Sequence, residues 1–316
     1  MTELTLEKSI KQKKRRKKMD GSVIQLWTMC VLPLLFIVIF NYLPLYGIQI
    51  AFKNYRYSLG IWGSPWCGFD NFEIFIKSGE LYRLMWNTVW QNAFQISTGM
   101  FANIALAILL YNVQSNKKVK VFQTILMTPN FISWVLVAYM VFAFLSPTNG
   151  MLNKIIESFG GTAIDWYSEP GPWPMILMLA HVWKCFGMGC MLYYATLVAI
   201  DPTLFEALAI DGGGRWHRIR HIMLPALVPL FCLQLIGAVG GLFSADFGLF
   251  YQLPRNVGAL YPTTDVLQTY IFRMMRVNGE MGVSSAMGLL MGIIGLILTF
   301  STNAIIRKIS PDNSLF

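Results

Sequence analysis

The chain has 316 residues, 55% hydrophobic and only 13% charged, with a mean hydropathy of +0.51 and a net charge of +9. A soluble domain carries about 25% charged residues, so lipid is the expected solvent for most of this chain and a soluble enzyme is excluded. The charge is concentrated: eight of the 25 basic residues lie in the first 18 positions.

Residues 1–20 form a basic tail containing Lys11, Lys13, Lys14, Arg15, Arg16, Lys17 and Lys18. The run is too dense for a signal-peptide n-region, and no small-residue cleavage site follows it. It is expected to orient the chain and touch anionic lipid, not to bind nucleic acid, since no basic face with interleaved aromatics follows. A helix needs about 20 apolar residues to cross the hydrocarbon core, and six stretches qualify: 27–50, 86–111, 121–145, 173–200, 224–250 and 284–306. Trp27, Trp86 and Trp173 stand at stretch ends, as interfacial aromatics do. The expected fold is all-α and polytopic, with six transmembrane helices. Its parts are the tail 1–20, a first crossing and external segment over 21–80, a five-helix core over 81–310 and a C-terminal tail over 311–316. Sixteen basic residues fall on the side of the two termini and eight on the other, with one inside a crossing. Both termini are therefore expected in the cytoplasm. Four of the five cysteines lie in apolar stretches as small fillers, and Cys67 has no evident mate.

Polar groups inside a crossing are costly and often line pathways. The second stretch offers Gln91, Asn92 and Gln95, the third Asn130 and Trp134, the fourth His181 and Lys184, and the fifth Gln234 and Asp246. Amides and aromatics suit a sugar's hydroxyls and ring faces. Lys184, if it lines the cavity, favours an acidic sugar. Each also has a structural reading: Gln91 and Gln95 as interhelical hydrogen-bonding groups, His181 as a satisfied interhelical histidine.

Between the fourth and fifth stretches, over 201–223, lies a cytoplasmic loop. Thr203 and Glu206 read as a capping box, with Leu204, Phe205, Leu208 and Ala209 forming an apolar stripe. Asp211 and Gly212, Gly213 and Gly214 stop the helix, and Arg215, Arg218 and Arg220 follow. A two-turn amphipathic helix is not stable alone in water, so a cytoplasmic partner groove is expected. His217 and His221 are read as partner contacts, because two ligands alone do not make a metal site.

The loop resembles the EAA motif of ABC-importer permeases: Glu206, Ala207, Gly212, Ile222, Leu224 and Pro225 fall in register, and Leu208 departs from the usual second alanine. Leu152-Asn153, Trp183, Thr264-Asp265-Val266-Leu267, Asn303 and Arg307-Lys308 are similar to the polysaccharide-type permeases of the LplB kind, within the larger family that contains the maltose permeases. The resemblance implies a type I importer permease (MetI-like) fold and a coupling helix that docks in an ATPase cleft. Its docking residues would be Glu206, Ala207, Leu208, Asp211, Gly212, Arg215, Ile222, Leu224 and Pro225. It also implies a second homologous permease, two ATPase subunits and an extracytoplasmic solute-binding protein, with the cargo a carbohydrate. No G-x-x-x-x-G-K-[ST] occurs, so ATP and magnesium are expected on the partner ATPase and no cofactor, metal or catalytic residue on this chain. The alternatives are a secondary transporter using His181, Lys184 and Asp246, a permease of this class for a non-sugar solute, and a membrane glycosyltransferase, for which no acidic catalytic motif is present.

Overall fold

The computed structural model describes residues 21–315, and every regular element among them is helical. The basic tail over 1–20 lies outside the described residues. The chain divides into two units at Gln49–Ile50. The first holds helix α1 (Gly21–Ile37) and a π-turn over Val38–Tyr42. Pro33 sits inside α1; in a membrane crossing a proline is tolerated where the carbonyl it frees finds another partner.

The second unit begins with a segment tied down by one amide. Asn71, at the start of α2 (Asp70–Lys77), donates to the carbonyls of Ala51 and Lys53 at 2.9 and 3.1 Å. Helix α3 (Leu81–Tyr111) then packs along most of α7 (Trp173–Val198). A Cβ at Gly187 would overlap the backbone of Leu126, so this glycine lets α7 approach α4 (Asn116–Met127) closely.

Among the described residues, five helices are long and apolar enough to cross a membrane: Trp27–Phe52, Leu81–Tyr111, Trp173–Val198, Arg215–Gly240 and Met281–Ile309. The third expected crossing, 121–145, is not one straight helix. It runs as Asn116–Phe131 and then as α5 (Trp134–Leu145), bent by 93° between them; counted as one broken span, the pair brings the crossings to six. Pro129, in the 3-10 turn Thr128–Phe131, cannot continue the ladder, and Ser133 restarts it by accepting the Leu136 N–H.

The fifth crossing also departs from expectation. It occupies Arg215–Gly240 (α9) rather than 224–250, so the second half of the 201–223 loop is its first turns. Gly240 and Gly241 end it, and Asp246 lies beyond it as the cap of a separate helix, α10 (Phe247–Gln252). Helices α11 (Leu267–Arg276) and α12 (Met281–Ile309) complete the chain.

The segment between α10 and α11 hangs on one buried carboxylate. Asp265 receives both guanidinium nitrogens of Arg273, at 2.9 and 2.5 Å, and the Thr269 hydroxyl at 2.7 Å. Arg83 of α3 adds a longer contact at 3.7 Å, and the Tyr261 ring lies 4.0 Å from the Arg273 guanidinium. Asn87 and Thr88 of α3 bond the backbone of 262–267. A buried pair broken on one side leaves the other charge unpaired. Asp265→Ala is therefore expected to destabilise the protein by about 3 kcal/mol, measured as a lowered melting temperature in detergent. Glu73→Ala, which breaks an exposed pair with Lys77, should leave the melting temperature almost unchanged.

Candidate functional site

The 201–225 region starts at the end of α7. Asp201, not Thr203, caps α8 (Pro202–Ile210): its carboxylate accepts the Thr203 N–H at 2.9 Å. The expected Thr203–Glu206 capping box is therefore not formed. Pro202 supplies a prearranged first residue, and the cap lies two residues earlier than a T-x-x-E reading places it. The hydrogen bonds from Thr203 hold the Asp201 carboxyl below the usual carboxylate range.

The other end of α8 is a Schellman closure. The Gly213 N–H reaches the Leu208 carbonyl at 2.8 Å and the Gly212 N–H the Ala209 carbonyl at 3.1 Å. Gly212 has φ +77°, and a Cβ on Gly213 would lie 2.5 Å from Leu208 Cγ. Both positions therefore favour glycine for backbone and packing reasons.

Part of the apolar stripe is covered by the chain itself. The Phe205 ring lies 5.8 Å from Tyr111 and packs with Ile219 against the cluster of Tyr193, Leu197, Met223 and Leu227. The membrane domain therefore covers part of the stripe for which a partner groove was expected. What remains outward is Glu206, Leu204, Ala209, Ile210 and Trp216, all exposed. Ala207, Asp211, Arg215 and Leu224 are exposed too, while Leu208 and Ile222 are half-buried. His217 and His221 stack on one another at 5.7 Å on the same outward stretch.

The nine polar candidates in the crossings separate into three groups. Gln91 and Asn92 act as interhelical ties, donating at 2.7 Å to the carbonyls of Thr263 and Leu242. Asn130, Trp134, Lys184 and Asp246 converge on the break of the third crossing. The Lys184 ammonium donates to the Asn130 carbonyl at 2.9 Å and lies 5.1 Å from the Trp134 ring centre. The Trp134 indole N–H donates to Asp246 Oδ2 at 2.8 Å. Gly248 makes room for that indole, since a Cβ there would overlap the ring.

The third group, Gln95, His181 and Gln234, lines a cavity of about 300 Å³ between α3, α7 and α9. Asn103 joins them, with a buried Oδ1 that has no hydrogen-bond partner. Sequence reading passed over Asn103, although an amide at the +8 position from Gln95 falls on the same face of a helix. Lys184 is not among the residues lining this cavity. Also missed was Asn153 in α6 (Met151–Ser158) as a junction: its side chain bonds Pro147, Ile164 and the Trp166 indole.

A broken-helix bundle with a capped, outward-facing helix between its fourth and fifth crossings is the architecture of a transport permease. Residues 119–313 match the family of binding-protein-dependent transport system inner membrane components, and the chain belongs to that family. It is 32% identical to the protein LplB of Bacillus subtilis (strain 168) over 287 residues, 91% of this chain and 90% of that one. The polygalacturonan/rhamnogalacturonan transport system permease protein YteP of the same organism is 30% identical over 304 residues, 95% and 94% of the two chains. A chain in the solved structure of a bacterial ABC transporter involved in the import of the acidic polysaccharide alginate is similar with a TM-score of 0.82 at 29% identity, covering 97% of this chain and 99% of that one. These matches bear out the importer-permease reading and give no support to the ion-coupled alternative.

The α8 geometry carries a local prediction. Asp201→Ala and Gly213→Val should each speed amide hydrogen exchange across 203–213, with α7 unchanged. Asp201→Asn, which keeps an acceptor, should not. The depressed carboxyl pKa sets the sign with pH: the cap's contribution is complete above the ordinary aspartate pKa and is lost as pH falls through the lowered folded-state value. Exchange rates corrected for their intrinsic pH dependence would follow that loss.

Proposed function

We propose that this chain is one permease subunit of an ABC importer for an acidic oligosaccharide. The observation that carries the reading is end-to-end similarity to a permease named for polygalacturonan/rhamnogalacturonan transport and to a chain of a transporter involved in the import of the acidic polysaccharide alginate. In this reading both termini and the 201–223 loop face the cytoplasm. The exposed face of α8, with Glu206, Ile210 and Trp216, docks on a separate ATPase subunit.

An apolar face left uncovered beside a carboxylate supports this docking role, because such a surface needs a partner. ATP and its magnesium belong to two ATPase subunits, and this chain performs no hydrolysis and holds no cofactor. A second homologous permease completes the pathway, and an extracytoplasmic binding protein delivers the saccharide. The cavity of Gln95, His181 and Gln234 offers amide and imidazole groups for sugar hydroxyls. Lys184, held between the Asn130 carbonyl and the Trp134 ring, serves the helix break instead.

Glu206→Lys combined with Gly212→Pro tests the coupling role. Membrane insertion should be normal, while uptake of a labelled oligogalacturonide and co-purification of the ATPase are both lost. Normal uptake by the double variant would overturn the docking role, and wild-type uptake of neutral maltooligosaccharides alone would overturn the acidic cargo.

A further inference from the structure

At the far end of α7 from α8, the bundle carries a second polar cavity, of about 240 Å³, between α5 and α10. It shares no lining residue with the cavity of Gln95, His181 and Gln234. Its polar wall is Tyr139, Tyr251, Gln252, Arg255 and Asn256. Tyr139 presents its ring outward, 64% exposed. Tyr251 is braced from behind by Phe247 and Phe272, at 4.8 and 5.1 Å.

Arg255 differs from Arg83 and Arg273, which both face Asp265. Arg273 is spent on Asp265. The Arg255 guanidinium is held 4.3 Å from the Phe142 ring centre, and no carboxylate of the described residues lies within ion-pair distance of it. It is a positioned charge without a counter-charge.

The backbone that presents it is strained. Arg255 and Asn256, at φ +53° and +52°, are the non-glycine residues in the left-handed region among those described. That conformation costs roughly 1 kcal/mol or more at Arg255, whereas asparagine tolerates it at position 256. The Tyr261 hydroxyl holds the turn by reaching Asn256 Oδ1 at 3.0 Å and its carbonyl at 3.3 Å. Backbone strain of this kind concentrates at ligand clamps.

We infer that this cavity is a subsite for the carboxylate-bearing sugar unit of the cargo, at the mouth of the pathway. The inference rests on the importer reading above. Arg255 pairs with the uronate carboxylate through its planar fork. Gln252 and Asn256 bond the ring hydroxyls, and Tyr139 takes the apolar ring face. The acid preference therefore resides in Arg255 and not in Lys184.

The test uses the importer assembled with its native subunits in nanodiscs, without the binding protein. Saturation-transfer NMR titrations compare trigalacturonic acid with its methyl ester. The acid should bind the wild type, and Arg255→Gln should weaken it about ten-fold, the worth of one charge-assisted hydrogen-bonded contact. The ester should bind weakly and equally to both. Arg255→Lys should restore part of the loss, and Tyr139→Ala should weaken both probes. Melting curves for each variant separate lost binding from lost folding.

Equal affinity of wild type and Arg255→Gln for the acid would overturn the subsite. If the wild-type assembly imports the acid while Arg255→Gln binds it normally, the subsite falls and the importer reading stands. If the wild type neither binds nor imports any acidic saccharide, the subsite and the acidic cargo both fall.

Discussion

A helix that breaks inside a bilayer must find new partners for the backbone groups it frees, because lipid offers none. The break between Phe131 and Trp134 meets that demand from three directions. Lys184 takes the Asn130 carbonyl, and Ser133 takes the Leu136 N–H. Asp246 then anchors the first side chain of the new helix through the Trp134 indole. The charges are placed as helix dipoles require, with a cation at the carbonyl end of one half and an anion beside the amide end of the other. With the break held open, α5 turns away from α4 and lies against α10, which makes the wall that carries Tyr139 and Tyr251.

This explains why the polar residues of the crossings were easy to find and hard to assign. Their presence was legible, since a lysine and an amide in an apolar run are conspicuous. Their partners were not, because Asn130–Lys184 and Trp134–Asp246 join residues 54 and 112 positions apart. The number of crossings was legible from length and hydropathy. The 93° bend was not, although Pro129 and Ser133 carried the local signal: apolar periodicity runs on across a break when both halves face lipid or protein. The loop motif was readable as spacing, but its physical content came from the structure. Gly212 supplies the positive φ of a Schellman turn, and Asp201 rather than Thr203 supplies the cap.

The register residues at the end of the motif have a similar local cause. Pro225 has no N–H to give the carbonyl four residues back, and the chain responds with a π-turn over Ile219–Met223, in which the Leu224 N–H reaches the Ile219 carbonyl. The turn leaves Met223 almost fully buried against Leu227 and Tyr193 while keeping the helix continuous. Motif positions Ile222, Leu224 and Pro225 therefore belong to the crossing itself, and the loop proper ends at Gly214.

That continuity bears on how the proposed docking face reaches the cargo. Helix α9 runs unbroken from Arg215, beside the exposed face of α8, past Gln234 and Gly237 in the larger cavity, to Gly240. A rigid helix transmits displacement along its length, whereas a loop absorbs it. Beyond Gly240, six residues lead to α10, whose cap Asp246 is bonded to Trp134 at the break and whose C-terminal end carries Tyr251 and Gln252. A shift imposed at α8 thus travels along one helix, through its π-turn and past Pro229, as far as the cavity, and then through the Asn92–Leu242 tie and the Trp134–Asp246 joint before the Arg255 cleft. The joint is a soft point on that route, because a single indole–carboxylate contact yields more readily than a packed helix. Weakening it should uncouple the two cavities while leaving each intact.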